Sequence, residues 1–365
     1  MQPEKFDVLI VGAGFAGAAT AFHLSREFGG SILIIEREAV PGAHASGRNA
    51  SLILQSVADP TIRSSVAASR REYARLDQDL GFHQVGSVML GPRDRLEELR
   101  ESRRVESFLR SRDELCRRIP LLSGHRFEMG LETTGDGVID IWALLQHYLA
   151  GARARGAELW PSCELQSVRG AGPFRVETSR GSLEIEYLVN AAGAWAPAVA
   201  AMAGAAPLPL VPWKRHLFVL EGIADIEPDW PFVWGLRPEF YFRPDSQGLL
   251  FSPCDEEQST RLETTVSPDI AQRAAEFILK ELPALSDARQ RELWSCFRTR
   301  VPDGRFVIGW DPQLARFFWV AGLGGHGVGS SWDVGRQAAA AFCHREIATD
   351  APADPARLVA SPSSV

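Results

Sequence analysis

Phe6-Asp7-Val8-Leu9-Ile10-Val11-Gly12-Ala13-Gly14-Phe15-Ala16-Gly17 is the stretch whose reading decides the fold. Phe6 to Val11 is an apolar run of strand length, three glycines follow at G-x-G-x-x-G spacing, and Ala18 to Phe28 reads as a helix. A second apolar run, Ser31 to Ile35, ends on Glu36, nineteen positions after Gly17. Glycines at this spacing alone are a weak signal; strand, glycines, helix, strand and terminal acid in register make a strong one. Gly12 permits the tight turn, Gly14 lets the backbone approach a pyrophosphate, and Gly17 lets helix and strand pack closely. The helix start around Phe15 and Ala16 offers free N–H groups and positive partial charge to that pyrophosphate. Glu36 can accept hydrogen bonds from both ribose hydroxyls, and it would repel a 2′-phosphate. The competing reading is a glycine turn in an ordinary βαβ unit; the full context favours an adenine dinucleotide.

With 365 residues, the chain can hold two domains or one domain with a large insertion. It is 45% hydrophobic and 23% charged, which suits a globular protein with a substantial core. A net charge of -7 argues against a nucleic-acid partner. The five cysteines, Cys116, Cys163, Cys254, Cys296 and Cys343, have no CxxC spacing. They fit neither a metal site nor a disulfide framework, so a reducing, cytoplasmic compartment is expected. Residues 1–5 form a short polar lead, which leaves no room for a signal peptide. Ala191 to Val211 has no charge and is long enough to span a bilayer, but it is mostly alanine and is broken by prolines and glycines. It reads as loop, short helix, loop, with membrane contact at most peripheral.

Downstream of Glu36, Arg37 to Ala50 is a turn-rich loop carrying Ser46, Gly47, Arg48 and Asn49, groups that can meet a second phosphate or a flavin edge. Asp59-Pro60 starts a helix with Ile62, Val66, Tyr73, Leu76 and Leu80 on its buried face. In the charged segment Arg93–Arg118, the positions Leu96, Leu99, Val105 and Phe108 follow helical spacing. A helix is expected over Ile141–Arg155, strands over Phe174–Thr178 and Leu183–Val189, then Asn190-Ala191-Ala192-Gly193-Ala194-Trp195, whose small residues permit a second close backbone approach. The aromatic stretch Leu208–Pro253 reads as β-sheet with most rings in the core. Pro268–Leu282 reads as a helix, and Leu293–Arg300, Phe306–Trp310 and Phe317–Ala321 as strands. The loop Gly322-Leu323-Gly324-Gly325-His326-Gly327-Val328-Gly329 leads to a last helix near Trp332–Ile347, and Ala351 to Val365 reads as a loosely ordered tail.

These separated segments, together with Phe240-Tyr241 and Phe297-Arg298, resemble the D-amino-acid oxidase-like flavoproteins over nearly the whole chain, and within that group the D-arginine dehydrogenases. The resemblance implies an α/β fold: a glutathione-reductase-like, Rossmann FAD-binding domain (1–80, 141–212, 297–350) interleaved with a mixed-sheet substrate domain (81–140, 213–296) and a tail (351–365). It implies FAD as cofactor, held by Gly12, Gly14, Phe15, Ala16, Gly17, Glu36 and Arg37, by the loop Ser46, Gly47, Arg48 and Asn49, and by Ala192, Gly193 and Trp195. Gly324, Gly325, His326 and Gly327 match the loop beside the flavin ring, where backbone N–H groups would stabilise charge on the reduced ring.

For the substrate, Tyr241 and Arg298 match a pair that clamps an amino-acid carboxylate, a task suited to a planar guanidinium. Arg298, Tyr241 and His326 are the implied catalytic residues. Arg215, His216, Leu52 and Gly325 are further implied substrate contacts. Leu52 stands in place of a histidine and Ser87 in place of the acid expected for a cationic side chain, so a neutral or apolar substrate group is expected. Leu250 stands where sarcosine oxidases have a lysine that promotes reaction with oxygen. Cys296 matches the site of covalent flavin attachment in sarcosine oxidases, although a buried inert thiol is the commoner state. The implied activity is oxidative deamination of a D-amino or N-alkyl amino acid, with O2 or a quinone as electron acceptor. A 2-hydroxy-acid dehydrogenase and a flavoprotein subunit without its own substrate are the alternatives. No metal site is expected.

Overall fold

The Phe6–Val11 run becomes the centre of a parallel sheet in the computed structural model, which describes residues 3–76, 80–259, 262–344 and 352–359. Strand Glu4–Val11 pairs in parallel with Gly181–Asn190 on one side and Ile32–Ile35 on the other. Phe317–Ala321 adds beyond Gly181–Asn190, and Glu158–Trp160 beyond Ile32–Ile35. All four residues of Ile32–Ile35 are buried, as expected of a parallel strand covered on both faces. Helices Phe15–Glu27, Ile141–Arg153 and Gly327–His344 cover one face, and Ala196–Ala203 with the hairpin Leu165–Arg169/Phe174–Thr178 covers the other. Helix Pro60–Arg75 packs on Gly327–His344 and starts as its sequence predicts. The Asp59 carboxylate accepts from the N–H groups of Thr61 and Ile62, a cap that contributes about 1 kcal/mol.

The second sheet is mixed. It runs Glu257–Gln258, Val211–Glu221, Gly248–Ser252, Glu239–Asp245, Phe232–Leu236, Ser87–Gly91, Met129–Thr133 and Phe108–Ser111, with Arg289–Arg300 paired along Val211–Glu221. Side chains alternate across it. Phe218, Phe240, Phe242 and Phe251 face helix Ile270–Glu281. Tyr241, Leu217, Leu250 and Cys296 form a cluster with Ala50 of the loop that leaves the parallel sheet, so this face meets the first unit.

Several elements depart from expectation. Helical spacing fails after Arg103: Arg104 adopts φ +51, which ends the helix Arg93–Arg103, and Phe108 begins an edge strand with its ring 42% exposed. Pairing with Val211–Glu221 carries the Leu293–Arg300 strand back to Arg289. The last helix begins at Gly327, five residues earlier than Trp332, so the glycine loop runs straight into a helix N-terminus; its expected end at Ile347 lies outside the described residues. Residues 352–359 are tied down: Ile308 N–H donates to Ala353 O at 2.9 Å, Arg357 pairs with Asp303 at 2.8 Å, and Pro355 is buried. Residues 191–211 form a loop with the 3-10 turn Gly193–Trp195, the short helix Ala196–Ala203 and a second loop into the strand Val211–Glu221. Among the described residues no helix is long and apolar enough to cross a membrane.

Candidate functional site

A single cleft runs from Glu36 past the glycine turn to the face of the mixed sheet. At the first end the wall is largely backbone. Gly12 has φ +104, and a Cβ there would lie 2.6 Å from the Ala191 carbonyl oxygen. A Cβ on Gly17 would sit 1.9 Å from Gly12 O, so Gly17 is a packing residue beneath the turn and does not itself line the cleft. Gly14 approaches Ser46, whose Oγ accepts from Phe15 N–H at 2.9 Å. The Glu36 carboxylate lines the cleft and is oriented by two backbone donors, Ala13 N–H at 2.9 Å and Glu38 N–H at 3.0 Å.

Sequence reasoning missed one contributor here. His44 lines the cleft with its ring centroid 4.5 Å from that of Trp195, while the Arg37 guanidinium lies 4.4 Å over the Trp195 ring. His44 Nε2 meets Glu38 Oε1 at 2.8 Å, which with Arg37 holds the Glu38 carboxyl below its ordinary range. The buried His44 Nδ1 has no partner. Nothing in the sequence separates His44 from other loop histidines; only the folded loop brings it onto Trp195. An orphaned nitrogen, a glycine cradle no side chain can enter, and an oriented acid fit a dinucleotide at this end.

In the following loop Ser46 and Asn49 line the cleft, whereas Gly47 and Arg48 do not. Gly47 N–H donates to Gly42 O at 2.7 Å, and Arg48 Nε turns back to Ala43 O at 2.9 Å. In this structure these two residues shape the loop rather than line the cleft. Ala192, Gly193 and Trp195 do reach the cleft, where Asn190 folds the turn by donating to Ala196 O at 2.8 Å.

The terminal loop closes the other side with Gly324, Gly325, His326 and Gly327. Gly325 has φ +97, and a Cβ there would fall 3.1 Å from Cδ and Nε of Arg298, so the loop and that side chain fit only without one. Burial, then the charges of Arg298 and Arg300, push His326 down to about 4, leaving a neutral ring in the wall.

At the sheet end the wall is side chains. Arg298, Tyr241, Trp234, Leu52, Leu54 and Cys296 line it. The rings of Trp234 and Tyr241 lie 4.8 Å apart, and burial pushes the Tyr241 hydroxyl up, so it remains a donor. Among the described residues the Arg298 guanidinium has neither hydrogen-bond nor ion-pair partner. The acids of the cleft wall, Glu36 and Glu164, belong to the far end. Ser87 lies outside the wall and donates to Asp136 Oδ2 at 2.6 Å; burial pushes that carboxyl up to about 6. Cys296 is 5% exposed and burial raises its thiol, keeping it in the protonated, less nucleophilic form. Leu250 is buried in the same apolar cluster as Tyr241 and Cys296.

Arg215 and His216 are held by neighbours outside the cleft wall. Arg215 shares the cleft-side face of the sheet, opposite Cys296 in register, but it is 2% exposed and spent on Glu256 Oε1 at 2.7 Å and on the carbonyls of Cys254 and Asp255. His216 follows it on the opposite face, fully buried, with Nδ1 at 2.6 Å from Asp255 Oδ2 and Nε2 accepting from Ser267 N–H at 3.1 Å. Neither lines the cleft.

The chain is similar to known proteins on both counts. It is 27% identical to the human mitochondrial dimethylglycine dehydrogenase over 94% of its own length, but it spans only 43% of that longer protein. It is 28% identical to the sarcosine oxidase subunit beta of Rhizobium meliloti (strain 1021), covering 84% of this chain and 78% of that one. The fold is that of the L-proline dehydrogenase from P. horikoshii, with a TM-score of 0.86, 21% identity and 98% of each chain covered. The family description DAO, FAD dependent oxidoreductase, matches residues 7–341. A glycine cradle, an oriented acid and a full-length match thus agree: this chain belongs to the DAO family of FAD-dependent oxidoreductases.

Proposed function

We propose that the chain oxidises the amine of a D-amino acid or N-alkyl amino acid whose side chain is neutral or apolar. The observation that carries this reading is Arg298, a cation facing the cleft without a partner among the described residues, beside the Tyr241 hydroxyl. A planar guanidinium binds a carboxylate through two charge-assisted hydrogen bonds, and Tyr241 supplies a third donor. Bound FAD would supply the hydride acceptor. The protein's part is to hold: Arg298 and Tyr241 fix the carboxylate, which orients the Cα–H bond, and positioning of this kind can supply several kcal/mol. Trp234, Leu52 and Leu54 exclude water and give alkyl groups an apolar surface.

A D-arginine-like side chain fits poorly, because no acid of the wall stands near Leu52 and a buried guanidinium without one is costly. The hydroxy-acid alternative shares the carboxylate clamp and differs only in the group oxidised. The test is anaerobic: the FAD-loaded protein is mixed with D-amino acids, N-methyl amino acids and 2-hydroxy acids, and the visible absorbance of the oxidised flavin is followed. Bleaching by an amino acid with a neutral side chain supports the proposal. Bleaching by hydroxy acids alone replaces it, and inertness to every carboxylate points to a subunit without its own substrate. O2 and a quinone analogue offered to the reduced protein separate the two acceptors, with the apolar Leu250 favouring an acceptor other than O2.

A further inference from the structure

Beneath the terminal glycine loop lies a hydroxyl cluster that no step above uses. Tyr73, Tyr148 and Ser331 come from three different helices and are all fully buried. The Tyr73 hydroxyl is 2.8 Å from the Val328 carbonyl oxygen, 2.9 Å from Ser331 Oγ and 3.4 Å from the Tyr148 hydroxyl. Tyr148 in turn is 3.0 Å from Ser331 Oγ. Each hydroxyl has one proton, and a carbonyl can only accept. Tyr73 therefore donates to Val328, and Ser331, 2.9 Å from the Tyr73 oxygen and 3.5 Å from the same carbonyl, donates to one of these two and accepts from Tyr148, so every donated proton points toward the Val328 carbonyl. Trp332 N–H also donates to the Tyr73 oxygen, at 3.3 Å. Burial raises both phenols, so they stay protonated donors.

The Val328 carbonyl shares a peptide group with Gly329 N–H, and both residues line the cleft. They sit in the first turn of the helix Gly327–His344, where N–H groups have no intrahelical acceptor. A hydrogen bond received at a carbonyl oxygen polarises its peptide group, which makes the attached N–H a stronger donor. Apolar packing alone does not account for the cluster. Phenylalanine and alanine would fill nearly the same space without burying three hydroxyls, each of which costs free energy unless paired.

We propose that Tyr148, Ser331 and Tyr73 form a one-way relay that strengthens the positive end of the last helix toward the bound flavin, making Tyr73 a positioning residue for electron uptake. The proposal rests on the flavin reading of the cleft. Negative charge arriving on the ring is stabilised by donors aimed at it, so the relay raises the affinity of the bound cofactor for electrons.

The experiment uses the full chain loaded with FAD and two anaerobic readouts, the midpoint potential of the bound flavin and its affinity for sulfite, which reports electron deficiency of the ring. In Tyr73→Phe the potential falls and sulfite binds roughly threefold to tenfold more weakly, the loss expected from one charge-facing hydrogen bond. Tyr148→Phe shifts both in the same direction by less. A Tyr73→Phe protein that retains FAD with unchanged potential and sulfite affinity, and loses only thermal stability, overturns the relay. Should that variant not fold, Ser331→Ala breaks the middle link with both rings in place, and the same two readouts decide. A wild-type chain that takes up no FAD overturns the cofactor reading itself, an outcome distinct from unchanged readouts in a loaded variant.

Discussion

At the Glu36 end of the cleft the wall is backbone: glycines 12 and 14 with the N–H groups of the helix start. At the Arg298 end it is side chains from separate strands, Tyr241 on Glu239–Asp245, Trp234 on Phe232–Leu236 and Arg298 on Arg289–Arg300. The glycine turn of the first wall is contiguous in sequence and closed to side chains at Gly12, where a Cβ would lie 2.6 Å from the Ala191 carbonyl oxygen. The second depends on strand register, since a shift of one residue would turn Arg298 to the helix-covered face. A backbone wall suits a cofactor common to a family, and a side-chain wall can change its substrate without changing the fold.

The difference can be broken most severely at Gly17. A valine there must displace Gly12 O from 1.9 Å, so Gly17→Val is expected to abolish FAD uptake, seen as a colourless protein or as failure to accumulate folded. The next two tests set neighbouring arginines against each other. Arg215→Met leaves the half-buried Glu256 paired with Arg300, and the unfolding free energy should fall by about 1 to 2 kcal/mol from the lost charged hydrogen bonds. Substrate KM should follow far less. Arg298→Met should do the reverse: folding and flavin content persist, and kcat/KM falls about a hundredfold or more, as expected from losing charged hydrogen bonds to a carboxylate. If Arg298→Met keeps full activity, or Arg215→Met loses activity without losing stability, the side-chain wall is wrongly drawn.

The last effect is confined to acid. Burial, then Arg26 and Arg336, push His23 on the glycine-end helix down to about 4 from 6.5. Below pH 6.5 the unfolded chain binds a proton that the folded chain refuses, so stability is full above that value. It is lost as pH falls toward about 4, by up to about 3 kcal/mol. His23→Phe should flatten the pH dependence of the denaturation midpoint between those limits. His326, also held to about 4, should contribute no protonation step to kcat/KM near neutral pH.

The βαβ unit could be read residue by residue because each glycine answers a local steric demand, and strand, turn and helix follow one another without interruption. The strands Phe174–Thr178 and Phe317–Ala321 were legible for the same reason, as short apolar runs between turns. The helical spacing assigned to Phe108 failed because Phe108–Ser111 is recruited as an edge partner of Met129–Thr133, a demand from distant chain that periodicity does not carry. Arg215 and His216 entered as substrate contacts only through the family resemblance, at positions where relatives present polar groups. Asp255 and Glu256, some forty positions away, absorb both. His44, Trp234 and the Tyr73 relay carried no signal at all, since a loop histidine, a sheet tryptophan and a core tyrosine each look ordinary in isolation.

The amino-acid order by itself determined the dinucleotide cradle and the short apolar strands, where the deciding contacts are local or repeat with the period of the element; Tyr241 and Arg298 were paired as candidates only through the family resemblance. Only the tertiary structure decided which arginine is free and which is spent, that the last helix begins at Gly327, and that three hydroxyls from separate helices meet behind it. Those outcomes depend on which distant side chains come to neutralise or bond one another, and no local pattern encodes that.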